Sequence, residues 1–182
     1  MVELRFHGRG GQGSVTSAEL LALAAIAQGK YAQSFPKFGP ERRGAPVIAY
    51  ARISDRQIRD RTEVQNPDVV IVLDPSLLSI VDTSKGMPED GIQIVNTTHS
   101  AEHLRKEFGL KGKLVTLNAN KIASEEIGRV ITNTTMLGAA IRATGLVDPE
   151  AIVEQLKVRF GRIAEGNIKA FKRAHDECVC EE

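Results

Sequence analysis

With 182 residues and 19.8 kDa, the chain can bury one substantial core and is short for two, so a single domain over residues 1–182 is expected. Hydrophobic residues make up 42% and charged residues 26%, a balance that excludes a disordered or fibrous chain. The 24 Lys and Arg nearly cancel the 23 Asp and Glu, leaving no global field to draw nucleic acid or an anionic membrane as partners.

Val2 to His7 alternates apolar and polar residues, as a strand with one face in the core does. It runs straight into Gly8-Arg9-Gly10-Gly11-Gln12-Gly13. From Ser14 to Gln28, Val15, Ala18, Leu21, Ala22, Ala25 and Ile26 recur at helical spacing, and Gly29 stops the helix. An extended piece, Lys30 to Phe35, leads into Pro36 to Pro46, where three prolines and two glycines oppose regular structure. Val47 to Ile53 reads as a further strand with Ile48, Tyr50 and Arg52 on one face. The unbroken apolar run Val69 to Leu73, closed by Asp74, has the composition of a parallel strand covered on both faces, and Ile92 to Asn96 and Leu114 to Leu117 repeat it. Ser100 is placed to cap a helix running through Phe108. Helices follow at Ala119 to Gly128, at Thr134 to Ala143, from a cap and first-turn proline at Asp148-Pro149, and at Asn167 to Glu177. Alternating strands and helices define an α/β chain. The expected class is a Rossmann-like three-layer sandwich with a mostly parallel sheet and additional C-terminal helices.

No apolar run approaches the roughly 20 residues that span a bilayer, and Met1 to Arg5 lacks a signal-peptide layout. A cytoplasmic protein without membrane contact is expected. The two cysteines, Cys178 and Cys180, cannot form a disulfide framework and suit a reducing compartment. They fall in a charged C-terminal stretch expected to fray. No metal site is expected, since His7, His99, His103 and His175 lack ligand-like spacing with acidic or thiol neighbours.

Gly8, Gly10 and Gly13 match G-x-G-x-x-G between a strand and a helix, where backbone amides at the helix start can hold a phosphate. Lys30 to Lys37 contains no acid for a ribose, which opposes ordinary dinucleotide binding, and no P-loop pattern is present. Two readings therefore stand for Gly8, Gly10, Gly11, Gln12 and Gly13: a turn tightened so that the helix lies close to the sheet, or an anion or partner contact. Asp74 is read as a turn and helix cap and His7 as a structural histidine. Asn118, Asn120, Asn133 and Thr134 are read as capping residues.

The glycine loop, followed by a small-residue helix and then by Phe35-Pro36-Lys37-Phe38-Gly39-Pro40-Glu41-Arg42-Arg43-Gly44-Ala45-Pro46-Val47, resembles the gamma subunit of pyruvate:ferredoxin oxidoreductases. Those enzymes belong to the 2-oxoacid:ferredoxin oxidoreductase family. The similarity continues through Asn66-Pro67-Asp68-Val69, Leu73-Asp74-Pro75 and Val95-Asn96 and reaches Asn133-Thr134. The resemblance implies a subunit of a complex that decarboxylates a 2-oxoacid oxidatively, forms acyl-coenzyme A and reduces ferredoxin. It implies alpha, beta and delta partners that carry thiamine diphosphate, Mg2+ and iron–sulfur clusters, with coenzyme A as co-substrate. This chain alone would be inactive and hold no cofactor, since a cluster needs four ligands and only two cysteines occur. Arg42 and Arg43, in a proline-stiffened loop, have the donors for a phosphate or carboxylate, so they contact coenzyme A or a facing subunit, or simply pair with Glu41. A stand-alone nucleotide-binding protein is the alternative, and a homodimer of the isolated chain is left open.

Overall fold

The computed structural model describes residues 1–37 and 43–181. Its strands are β1 (Val2–Arg9), β2 (Tyr31–Pro36), β3 (Pro46–Ser54), β4 (Val69–Val72), β5 (Ile92–Asn96), β6 (Lys113–Leu117) and β7 (Val179–Glu181). Its α-helices are α1 (Ser14–Ala27), α2 (Ala101–Phe108), α3 (Ala119–Ile127), α4 (Asn133–Thr144), α5 (Pro149–Phe160) and α6 (Ala164–Glu177). All the strands share one sheet in the order β2-β3-β1-β4-β5-β6-β7. The centre, β1-β4-β5-β6, is parallel, while β2–β3, β3–β1 and β6–β7 pair antiparallel. The expected parallel sheet is thus the core, framed by antiparallel edges.

One face of the sheet carries the larger core. Leu4 and Phe6 of β1, Ala49 and Ala51 of β3 and Ile71 of β4 pack there with α1, α4, α5 and α6. Ala18, Ala24 and Ala25 are fully buried on α1, and side chains this small let the helix lie close to the strands. The opposite face is covered beside β4, β5 and β6 by α2, through Ala101 and Leu104 against Val70, Val72, Val95 and Leu114. Because both faces are covered there, every residue of β4 is buried, as its apolar run predicts.

Beside β1 and β3 that second face is polar. Arg5, His7, Tyr50 and Arg52 are all buried on it, at the period-two spacing that sends Leu4 and Phe6 to the other side. Arg5 Nε donates to His7 Nε2 at 3.1 Å, and its Nη2 donates to the carbonyls of Thr83 and Lys85 at 2.9 and 2.7 Å. Arg52 Nε donates to Glu3 at 2.6 Å. These bonds meet much of the donor demand of the two buried guanidinium groups, while Arg52 Nη1 is buried without a partner.

Two terminal expectations are corrected. Val179-Cys180-Glu181 does not fray: it pairs along β6 from Thr116 to Leu114 and extends the sheet. Asn133 is not a cap; Thr132 holds that position, and Asn133 lies buried inside the first turn of α4. Among the described residues no helix is long and apolar enough to cross a membrane.

Candidate functional site

The four parallel strands deliver their C-terminal ends to one edge of the sheet. Between β1 and β4 the chain departs in opposite directions, to α1 on one face and to the 3-10 turn Pro75–Ser79, whose Leu78 packs on the α2 side, on the other, which makes this the crevice where open α/β sheets bind ligands. The glycine loop, Asp74 and the residues after β5 and β6 all gather there.

The loop is held by its own residues first. Gln12 N donates to Arg9 O at 2.9 Å and Gln12 Oε1 accepts Arg9 N at 2.7 Å, closing a turn over Gly10 and Gly11. Asp74 then locks it to β4. Its Oδ2 accepts from Gln12 Nε2 at 2.8 Å and Arg9 Nε at 3.2 Å, while Oδ1 accepts the amide and hydroxyl of Ser76 at 3.0 and 2.6 Å. Burial pushes the Asp74 carboxyl up, but the donors Ser76, Gln12 and Arg9 outweigh it and hold the group below its ordinary range. The expected cap at Asp74 is present, over the 3-10 turn Pro75–Ser79; its second role as anchor of the glycine loop was not read from the sequence.

A strap from the entry to β3 crosses the loop. Gly10 N donates to Ala45 O at 2.9 Å, Gly44 N donates to Gly10 O at 3.2 Å, and Arg9 Nη1 donates to Gly44 O at 3.0 Å. Arg43 pairs with Gly10 as a parallel bridge and is exposed. The structure thus brings Arg43 against the glycine loop, Gly8 to Gly13, two sets of residues that were read separately from the sequence. Arg42 and Glu41 lie outside the described residues.

Both readings of the glycines have a counterpart. A Cβ on Gly8 would strike Ser14 Oγ, and Gly13, at φ 83°, would place a Cβ 2.7 Å from Asn133 Nδ2, so close packing demands glycine at both. The same packing leaves polar groups without partners. Gly13 is the N-cap of α1 and has no side chain to close the first turn, and Thr132 makes no side-chain cap on α4. Ser17 Oγ bridges the two helix starts through Gly13 O and Asn133 O, each at 3.2 Å. Ser14 Oγ and Asn133 Oδ1 are buried there with no partner. Two helix starts without side-chain caps, with the unpaired Ser14 hydroxyl beside them, form an environment suited to an anion, whereas Asn133 Oδ1 can only accept and adds nothing to it.

Beyond Asp74 a cleft of ≈ 290 Å³ opens between the ends of β5 and β6, lined by Pro75, Asn96, Thr97, His99, Asn118 and Asn120. Asn96 shapes it: Nδ2 donates to Leu73 O and Asn120 Oδ1 at 2.8 and 2.9 Å, and Oδ1 accepts Ala119 N at 3.0 Å. Asn118 caps α3 as expected, whereas Asn120 serves the Asn96 network instead. Thr134 donates to Asn167 Oδ1 at 3.0 Å rather than capping α4.

The family model for pyruvate ferredoxin/flavodoxin oxidoreductase matches residues 3–177. The chain belongs to that family. The pyruvate/ketoisovalerate oxidoreductases common subunit gamma of Thermococcus kodakarensis is 52% identical over 181 residues, covering 98% of each chain. The pyruvate synthase subunit PorC of Methanothermobacter marburgensis is 48% identical over 180 residues, covering 97% of each. The crystal structure of the pyruvate oxidoreductase subunit PORC of Thermotoga maritima superposes with a TM-score of 0.89 at 42% identity, covering 100% of this chain and 98% of that one. Coverage this complete makes the chain a gamma-type subunit of a 2-oxoacid oxidoreductase of the family, and none of these relatives is a stand-alone nucleotide-binding protein.

Proposed function

We propose that this chain acts as one gamma-type domain over residues 1–182 in a pyruvate-type 2-oxoacid:ferredoxin oxidoreductase, and that the strapped glycine loop forms a wall of the coenzyme A region. The chain itself holds two cysteines, short of the four that a cluster needs. The clusters therefore belong to a partner, and the family resemblance assigns thiamine diphosphate, Mg2+ and the clusters to alpha, beta and delta partners in the cytoplasm, with ferredoxin as acceptor. The decarboxylation and electron transfer occur on those groups. This chain contributes shape and charge: helix starts without side-chain caps, and a cationic strap.

The observation that carries this reading is the bridge between Gly10 and Arg43. It fixes the main chain of Arg43, an exposed residue, against the glycine loop, and an arginine carried there can bind phosphate oxygens in a two-pronged fork. Coenzyme A supplies phosphates of that kind. In the assembled complex, Arg43→Ala is expected to raise the apparent KM for coenzyme A about tenfold, the loss of one charge-assisted contact of roughly 1.5 kcal/mol, with kcat and assembly unchanged. Loss of assembly with normal kinetics in the remaining complex would place Arg43 on a partner subunit instead. Unchanged KM and unchanged assembly would overturn the proposal.

A further inference from the structure

The sheet ends in two edges built differently. At one, β7 is three residues long and carries Glu181. At the other, β2 runs for six residues, Tyr31 to Pro36, without a single charge. An uncharged edge strand of that length is an open template for pairing, which natural proteins guard against unless the edge is used.

We propose that β2 is the seat of a second copy of this chain, joined edge to edge across a two-fold axis. Lys37 N donates to Ile48 O at 2.8 Å. Antiparallel bonding alternates, so in the β2–β3 register Tyr31, Gln33 and Phe35 bond inward, opposite Ser54, Arg52 and Tyr50. Ala32 and Ser34 therefore turn both their N–H and their C=O groups outward. Pro36 stands at the next outward position and has no donor to offer, which limits pairing to the stretch centred on Gln33.

That stretch is self-complementary. A two-fold axis at Gln33 sets Ala32 against Ser34 of the second copy, and the reverse, for four main-chain hydrogen bonds. Gln33 then meets its own counterpart, and Tyr31, 50% exposed, lies beside Phe35 of the other molecule on the face turned away from α1. Aromatic cross-strand neighbours stabilise such a ladder. Lys37 falls opposite Gly29 and Lys30 opposite Pro36, so no like charges confront each other. The contact is isologous and closes on itself, forming a pair rather than a fibre.

This inference rests on β2 alone and is independent of the coenzyme A reading. Sedimentation of the full chain over a range of concentrations is expected to show a dimer. Ser34→Pro removes an outward amide without breaking a bond to β3 and is expected to give a monomer with an unchanged circular dichroism spectrum. If that variant fails to fold, crosslinking decides. On a Cys178→Ser, Cys180→Ser background, Gln33→Cys is expected to form a disulfide-linked dimer under mild oxidation, since directly opposed residues of a non-bonded pair lie about 4.5 Å apart at Cα. Ala32→Cys, which meets Ser34 rather than itself, is not. A wild-type chain that stays monomeric, or a dimer that survives Ser34→Pro and does not crosslink through Gln33→Cys, would overturn the proposal.

Discussion

Asp74 accepts from three side chains and one amide at the crevice between β1 and β4. Replacing it by Ala strands the Arg9 and Gln12 donors, and a loss of about 1–3 kcal/mol in urea unfolding is expected. His7 gives a different kind of handle. Burial, with Arg5 beside it, pushes its imidazole down to about 3, whereas the unfolded chain takes up that proton near pH 6.5. Between those values the unfolded state binds more protons, so the His7 contribution is fully present above pH 6.5 and is lost as pH falls, by up to about 1.4 kcal/mol per pH unit. The stability difference between wild type and His7→Gln should therefore shrink or reverse from pH 7 to pH 5 in denaturant titrations; a constant difference would show that His7 takes up its proton in the fold as readily as in the unfolded chain. The pairing of His7 with Arg5 was within reach of the sequence, because residues two apart share a strand face. The pairing of Asp74 with Gln12 spans 62 positions, and nothing local announces it.

At the scale of elements, the glycine loop, α1 and α4 behave as one unit. Gly13→Ala would force an L-residue to a φ of 83° and press its Cβ on Asn133. It should destabilise the chain by about 1–2 kcal/mol from the left-handed backbone alone, measured by the shift in denaturation midpoint. Strand–glycine–helix order was legible, since apolar alternation gives way to glycines and then to helical spacing within the first 28 residues. The contact of Asn133 with that loop was not, because α4 reaches it from a distant part of the chain. The tail misled for a related reason. Val179-Cys180-Glu181 has no strong strand signal of its own, and it is ordered by the open edge that β6 presents.

For the whole molecule, the apolar runs of β4, β5 and β6 revealed a buried parallel centre, but the strand order depended on how α1 returns the chain to the far side of β1. That crossover sets the switch point and therefore the site. Two linked motifs, the glycine loop and the stretch ending at Arg43, carried the family resemblance, and the structure brings them into direct contact at Gly10 and Arg43. Their contact joins in space two motifs that stand far apart in sequence. A subunit that completes a 2-oxoacid oxidoreductase is required for its turnover. The most direct measurement is pyruvate- and coenzyme A-dependent ferredoxin reduction by anaerobically reconstituted partner subunits, with and without this chain. Activity is expected only when the chain is present and co-purifies with the complex. Equal activity without it, or recovery of the chain alone with a bound nucleotide, would contradict that expectation.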